Sequence, residues 1–167
     1  MSFTSNIEKT MNNLHKQGAF LTVKHEEIVN TMTISWGNIG FEWNKPIFTV
    51  LVRKSRFTHE LIEKTTEFSV SVPLSCNLKQ ALVLCGTKSG RDIDKIKESG
   101  LTLRNGDSIT APSIEGCEMV YECKIVYKQD INPNLLSEEI KNKIYGDDDY
   151  HTLYYGEIVK VINLIED

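Results

Sequence analysis

Residues 30–37 have the sequence Asn-Thr-Met-Thr-Ile-Ser-Trp-Gly, and residues 53–60 have the sequence Arg-Lys-Ser-Arg-Phe-Thr-His-Glu. The first segment predicts a β-strand, since successive side chains of a strand point to opposite faces and Met32 and Ile34 would share one of them. The opposite face carries three hydroxyl side chains, those of Thr31, Thr33 and Ser35. Short hydroxyl side chains let a flat heterocycle approach the backbone and bind its polar edge. The alternative is an exposed edge strand, because Thr favours strands in its own right.

The second segment predicts an anion site. A strand over residues 47–52 leads directly into the basic residues 53–56, and a helix should begin just after them, with Thr58 as its N-cap and Glu60 in its first turn. A helix N-terminus flanked by two arginines and Ser55 would bind a phosphate well. Alone, the segment would be interpreted as a solvated basic turn. Together, the two segments predict a site for a phosphorylated aromatic cofactor.

These residues resemble the flavin reductase-like proteins of the FMN-binding split-barrel fold, which include the flavoredoxins. The resemblance covers most of the chain. It extends to Lys45-Pro46, to Cys-Gly-Thr-Lys-Ser-Gly-Arg-Asp at residues 85–92 and to Tyr-Tyr-Gly-Glu-Ile-Val at residues 154–159. It implies a mainly β fold, a β-barrel with peripheral helices, in a single domain over residues 1–167. It also implies a homodimer that holds FMN noncovalently.

The resemblance also implies which residues contact FMN. On the side of the isoalloxazine ring and ribityl chain these are Thr31, Met32, Thr33, Ser35, Trp36 and Gly37. Around the phosphate they are Arg53, Ser55, Arg56, Thr58 and His59. A third block near the flavin supplies Cys85, Gly86, Lys88, Ser89 and Arg91.

The loop that begins at Gly86 does not have the glycine and lysine spacing of a phosphate-binding P-loop. Cys85 lies at the expected end of a helix, where a thiolate is not favoured, so a structural role is the leading interpretation. Four cysteines, Cys76, Cys85, Cys117 and Cys123, match neither a redox pair nor a zinc pattern, and no metal site is expected. Cys123 alternates with apolar residues and is expected in the core.

His151 is the candidate catalytic residue. Related short-chain flavin reductases carry Gly-Asp-His before a hydrophobic strand and a glycine, with the histidine close to the nicotinamide site. Here residues 149–151 are Asp-Tyr-His. The hydrophobic strand and the glycine after the histidine match that pattern, whereas Asp-Tyr stands in place of Gly-Asp before it. The departure is consistent with the flavoredoxin branch, and a hydrogen-bonded surface histidine is the alternative interpretation.

The functional prediction is an NAD(P)H-dependent flavin reductase in which hydride passes between NADH or NADPH and FMN. If FMN exchanges, such a protein delivers reduced flavin to a partner oxygenase. The alternative is a flavoredoxin-like electron carrier that receives electrons from a redox-partner protein and has no reductase activity of its own. A barrel that has lost flavin binding is a third possibility.

Composition and charge argue against other classes of protein. The chain has 167 residues, 40% of them hydrophobic, which is enough for one sizeable core. The net charge of −4 argues against a nucleic-acid binder. No run reaches the roughly 18 apolar residues needed to span a bilayer, and the N-terminus lacks the apolar core of a signal peptide. A cytoplasmic location with no membrane or nucleic-acid partner is expected.

The coarse pattern of elements favours a strand-dominated barrel over alternating βαβ units. Strands are expected near residues 19–24, 28–36, 47–53, 68–72, 121–128 and 151–162. Helices are expected near residues 58–65, 77–85 and 92–98, before Gly18 with Thr4 or Ser5 as cap, and after Ser137. Asn105-Gly106 predicts a tight hairpin turn.

Overall fold

The computed structural model describes residues 2–75 and 77–165. The strands in these residues are β1 (Ala19–His25), β2 (Ile28–Ile34), β3 (Gly37–Glu42), β4 (Lys45–Arg53), β5 (Glu67–Val72), β6 (Leu103–Arg104), β7 (Ser113–Ile114), β8 (Met119–Asp130) and β9 (His151–Asn163). The helices are α1 (Ile7–Lys16), α2 (Phe57–Ile62), α3 (Lys79–Thr87), α4 (Lys95–Glu98) and α5 (Glu138–Ile144), with a 3-10 turn at Pro133–Leu135.

Seven antiparallel strands form the main sheet, in the order β2-β1-β5-β8-β9-β4-β3. The pairing of β8 with β9 shifts register between Glu122 and Cys123 and again between Ile125 and Tyr127. Such irregularities increase local twist and bend long strands. The sheet curls until β2 approaches β4. The expected single-domain β-barrel with peripheral helices is confirmed.

The interior of the barrel is filled by alternate residues of its strands. Val50 and Val52 of β4 and Phe68 and Val70 of β5 are among the fully buried side chains. Each such side chain contributes about 1.5–3 kcal/mol through burial. On β9, a Cβ at Gly156 would lie 2.5 Å from the Phe68 ring, so only glycine fits there. A second apolar cluster lies under α3.

Buried and half-buried carboxylates fasten the long loops to the sheet. Glu122, which is 0% exposed, accepts hydrogen bonds from the amides of Asp107 and Ser108, both at 2.7 Å. Glu67 accepts hydrogen bonds from the amide and hydroxyl of Thr110. The expected tight turn at Asn105-Gly106 is therefore wrong, because a longer loop separates β6 from β7 and Glu122 holds its backbone.

Three predicted helix starts also differ from the structure. Thr58 lies inside α2 and not at its N-cap, because its buried hydroxyl accepts a hydrogen bond from the Asn30 amide at 2.8 Å. The helix expected from residue 92 begins after Asp94, whose carboxylate caps the amides of Ile96 and Lys97. Before α1, neither expected cap forms: Asn6 holds that position with φ 55° and makes no side-chain cap bond.

The cap expected at Ser137 is confirmed, since its hydroxyl accepts a hydrogen bond from the amide of Ile140. Cys85, Cys117 and Cys123 are buried free thiols, and Cys76 lies outside the described residues. In the ranges 2–75 and 77–165, no helix is long and apolar enough to cross a membrane.

Candidate functional site

Two adjoining cavities open where β2 approaches β4. The first has a volume of about 300 Å³ and is lined by Met32, Thr33, Ile34, Ser35, Trp36, Leu51, Arg53, Arg56 and His151. The second has a volume of about 100 Å³ and is lined by Met32, Thr33, Ser55, Arg56, Phe57, Thr58, Cys85, Gly86, Lys88, Ser89, Gly90, Arg91 and Lys95. Since three residues belong to both walls, the cavities form one elongated site.

Neighbouring elements converge on this site from distant parts of the chain. β2 and the turn after it supply one wall of the first cavity. The pairing of β4 with β9 sets Arg53 directly opposite His151 on the other wall. Arg56 occupies the N-cap position of α2, where it makes no side-chain cap bond, and lies in both cavities. The end of α3 and the following loop close the second cavity.

The first cavity places a neutral histidine beside an indole ring. His151 is 8% exposed, and its ring centroid lies 5.2 Å from that of Trp36, which is 42% exposed. Burial, with the Arg53 guanidinium nearby, lowers the pKa of His151 to about 4 from its ordinary 6.5. The imidazole is therefore uncharged at neutral pH. Its Nδ1 lies 2.8 Å from the hydroxyl of Tyr145, which the sequence analysis did not single out.

The second cavity concentrates positive charge. Arg56 and Lys88 form no ion pair within residues 2–75 and 77–165, and neither side chain has a partner there to satisfy its donors. Lys95 is 5% exposed and donates to the carbonyl of Cys85 at 3.0 Å. Burial lowers the pKa of Lys95, and the nearby Arg56 charge lowers it further. An anion in this cavity would relieve that accumulation of charge.

Two of the predicted phosphate contacts, Arg53 and Ser55, and Arg91 of the third block bind groups of the protein. Arg53 donates to the carboxylate of Asp147 at 3.1 Å and to the carbonyl of Ile144 at 3.0 Å. Ser55 donates to Asp149 from both its amide, at 3.1 Å, and its hydroxyl, at 2.6 Å. Arg91 lies in the second cavity, but its guanidinium pairs with Glu60. Arg53 and Ser55 therefore hold the segment before β9 in place.

The hydroxyl face expected on β2 is largely used by the fold. Thr31 is fully buried outside both cavities, where its hydroxyl donates to the carbonyl of Leu21 at 3.3 Å. Thr33 lines both cavities, but its hydroxyl donates to the carbonyl of Leu82 in α3 at 2.6 Å. Of the three hydroxyl residues, only Ser35 is exposed at the first cavity.

Two more predicted residues lie outside the cavities. Gly37 starts β3, and a Cβ there would lie 2.6 Å from the carbonyl oxygen of Thr49, so this position serves strand packing. His59 lies 3.1 Å from the hydroxyl of Thr152 at its Nε2 atom. Burial lowers the pKa of His59, although the Glu63 carboxylate opposes that shift. Both positions support the fold around the site.

Cys85 contributes to the second cavity as a packed thiol. It lies inside α3, which continues through Gly86 to Thr87, and its sulfur is 3.6 Å from the hydroxyl of Ser99. Burial raises the pKa of this thiol. Lys95 lines the second cavity but was not predicted from the sequence. It directly follows Asp94, the cap of α4, and that adjacency was the one local signal for its position.

Comparison with known proteins gives a consistent assignment. The family model described as the flavin reductase like domain matches residues 11–166. An uncharacterized protein of Archaeoglobus fulgidus is 30% identical over 157 residues, which cover 94% of this chain and 78% of that protein. The structure is similar to that of the FMN-binding protein from Thermus thermophilus with bound 1-cyclohex-2-enone, with a TM-score of 0.70, 26% identity and coverage of 88% of this chain and 70% of that one. It is also similar to flavoredoxin from Methanosarcina acetivorans, with a TM-score of 0.69, 25% identity and coverage of 88% and 68%. The chain, with its split barrel and its two adjoining cavities, belongs to the flavin reductase-like family.

Proposed function

We propose that this protein is an FMN-dependent oxidoreductase whose cofactor lies along the two adjoining cavities. The isoalloxazine ring occupies the first cavity and the phosphate occupies the second. The observation that supports this orientation is the division of the site into two parts that meet at Arg56. In the aromatic part Arg53 is paired with Asp147, whereas in the other part Lys88 and Lys95 have no carboxylate partner among the described residues.

The residues present fit FMN. A phosphate is bound best by guanidinium and ammonium groups that have no competing carboxylate, and Arg56, Lys88 and Lys95 meet that condition in the second cavity. The first cavity lies at the lower end of the range of ligand pockets, roughly 300–1,000 Å³, and remains open to solvent beside Trp36. Its mixture of apolar walls and a few polar groups is typical of a ring-binding site.

FMN, when bound, supplies the hydride and electron chemistry. The protein's own residues bind and orient the cofactor and limit the access of water. Trp36 and Met32 provide apolar surface for the ring, while His151 offers a neutral imidazole that can hydrogen-bond without adding charge. Arg56, shared by both cavities, connects the phosphate end to the ring end. The proposed electron donor is NADH or NADPH.

A flavoredoxin-like electron carrier is the second candidate. Two observations favour it: the similarity to a flavoredoxin at 25% identity, and Asp-Tyr in place of Gly-Asp immediately before His151. In that case FMN accepts electrons from a redox-partner protein, and nicotinamides do not reduce it. We further propose a homodimer, because exposed Trp43 and Tyr127 form an aromatic cluster with Tyr155, with centroid distances of 5.4–5.9 Å.

The deciding experiment is an anaerobic absorbance titration. The purified protein is incubated with FMN, desalted and treated with NADH or NADPH while the visible flavin band is followed. Retained flavin that bleaches rapidly identifies a reductase, and retained flavin that responds only to dithionite identifies a carrier. If no flavin is retained, steady-state oxidation of NADH with excess FMN distinguishes an exchanging reductase from a barrel without flavin function, and the latter result would refute the proposal.

A further inference from the structure

Tyr145 lies directly behind the histidine of the first cavity. It is the C-cap residue of α5, is 3% exposed, and its hydroxyl lies 2.8 Å from Nδ1 of His151. Its ring stacks on Tyr150, with centroids 4.8 Å apart, and meets the imidazole edge-on at 5.6 Å. Arg53 holds this segment by donating to the carbonyls of Ile144 and Asp149. Tyr145 is therefore held in a fixed position relative to the imidazole.

The groups around His151 keep the ring uncharged. Arg53 on β4 and Arg56 before α2 disfavour a second proton, Asp149 on the preceding segment favours one, and burial outweighs that carboxylate. A neutral imidazole carries one N–H and one acceptor nitrogen. The partner of Nδ1 therefore decides which nitrogen carries the proton.

Two features of Tyr145 favour its hydroxyl as the donor. The Arg53 guanidinium carbon lies 5.5 Å from the centroid of the Tyr145 ring, and a cation over a phenol strengthens that phenol as a hydrogen-bond donor. Within the described residues, His151 is also the one partner of this hydroxyl, so its proton has no competing acceptor. The other imidazole nitrogen, Nε2, makes no hydrogen bond to any residue in these ranges, and His151 lines the cavity.

We propose that Tyr145 is a positioning residue: its hydroxyl donates to Nδ1 of His151 and thereby fixes the neutral imidazole with its proton on Nε2, facing the first cavity. His151 then acts as an uncharged hydrogen-bond donor to a carbonyl or other oxygen acceptor of the bound ring or of its redox substrate. It does not act as a base. The catalytic meaning of this donor rests on the proposed flavin site, whereas the position of the proton does not.

The test is nitrogen NMR of the protein labelled with ¹⁵N-histidine, recorded with and without FMN across a pH titration. The chain has four histidines, and the His151→Gln variant identifies the relevant signals. Tyr145→Phe removes the hydroxyl and keeps the ring. Tyr150→Phe is the matched control, because it makes the same change in the stacked neighbour, whose hydroxyl donates to Asp148 instead.

In the wild-type protein we expect the Nδ1 signal of an unprotonated nitrogen and the Nε2 signal of a protonated one. Tyr145→Phe should raise the pKa of His151 by about one pH unit, because a hydrogen bond that stabilises the neutral ring is lost. Tyr150→Phe should leave the pKa and the proton position unchanged. A protein in which Tyr145 merely packs would keep the wild-type pKa after loss of the hydroxyl.

A protonated Nδ1 in the wild-type protein would overturn the proposal. So would a lowered pKa in Tyr145→Phe, because a tyrosine that accepts from Nδ1–H stabilises the charged ring more than the neutral one. The wild-type spectrum decides even if the variant does not fold. An Nε2 proton in a protein that neither retains FMN nor oxidises NADH with excess FMN would refute the flavin site and leave the positioning role intact, so the two proposals fail separately.

Discussion

Replacing Arg56 by alanine tests the proposed phosphate site most directly. The guanidinium lies in both cavities and has no carboxylate partner among the described residues, so its donors are free for a ligand. A charge-assisted hydrogen bond of this kind contributes roughly 1.5–3 kcal/mol, equivalent to an increase of about 10- to 150-fold in Kd. Arg91→Ala is the matched control. Its guanidinium is already paired with Glu60, so its loss should weaken FMN binding by less than about fivefold.

The assay is fluorescence titration of flavin-free protein with FMN and, separately, with riboflavin, which lacks the phosphate. Arg56→Ala should weaken FMN binding and leave riboflavin binding within about twofold of the wild-type value, because the phosphate provides the lost interaction. Equal weakening of both ligands would show that Arg56 binds the ring or supports the fold. Unchanged FMN affinity would move the phosphate toward Lys88 and Lys95.

Lys95→Met should weaken FMN binding about tenfold and leave the thermal midpoint of the flavin-free protein unchanged or raised, because a buried ammonium without an anion is costly. Exposed Lys97→Met is the control. Unchanged FMN affinity in Lys95→Met would contradict a phosphate role. Glu122→Gln should lower the free energy of unfolding by about 2–4 kcal/mol in urea titrations, since the fully buried carboxylate accepts two amide hydrogen bonds. Exposed Glu139→Gln should have little effect. An equal loss in both variants would contradict the stabilising role of the Glu122 carboxylate. The free energy of unfolding should also decrease as the pH drops, because the pKa of His151 is lowered to about 4 in the folded protein. Its contribution is complete above pH 6.5 and is lost as pH falls toward 4, because the unfolded chain binds the proton first. Between pH 7 and pH 5 His151 should account for a loss of about 2 kcal/mol that His151→Gln does not show, whereas the contribution of His59, whose pKa is also lowered, remains in both proteins. An equal total loss in both proteins would contradict the lowered pKa of His151.

The sequence predicted the elements whose side-chain period is strong. The long strands β8 and β9 and the core strand β5 all alternate apolar residues, and each was expected close to its observed bounds. β3 was missed because residues 37–42 contain two glycines and an asparagine, which have low strand propensity. Pairing with β4 overrides that propensity.

At the end of α3, too, tertiary packing overrides the local preference of the sequence. Glycine usually ends a helix, so the helix was expected to stop at Cys85, yet it continues through Gly86 to Thr87. A Cβ at Gly86 would lie 3.3 Å from the Cβ of Thr33 on β2. The glycine allows the helix to pack closely on the strand, and only the tertiary structure reveals this function.

For the candidate site, contiguous motifs were informative and long-range partners were not. The residues singled out from local sequence that line one of the two cavities include Trp36, Arg56, Gly86, Lys88, Ser89 and Arg91. Tyr145 reaches His151 because α5 and the segment after it fold back on β4, and no local pattern encodes that path. Lys95 was overlooked because a lysine in a short helix is usually solvated.

The basic residues differ most clearly in whether the protein itself neutralises them. Arg53 and Arg56 are three residues apart and indistinguishable by composition, but Arg53 is engaged by Asp147 whereas Arg56 has no acidic partner among the described residues. A cation that is already paired adds little to ligand binding, while an unpaired one can donate fully to a phosphate. The paired residue still serves the site: Arg53 fixes the backbone on both sides of the segment that carries Tyr145, and Tyr145 contacts His151. Arg53→Ala should therefore disturb His151 and the ring end of the site, whereas Arg56→Ala should disturb the phosphate end, although the sequence presents the two arginines as equivalent.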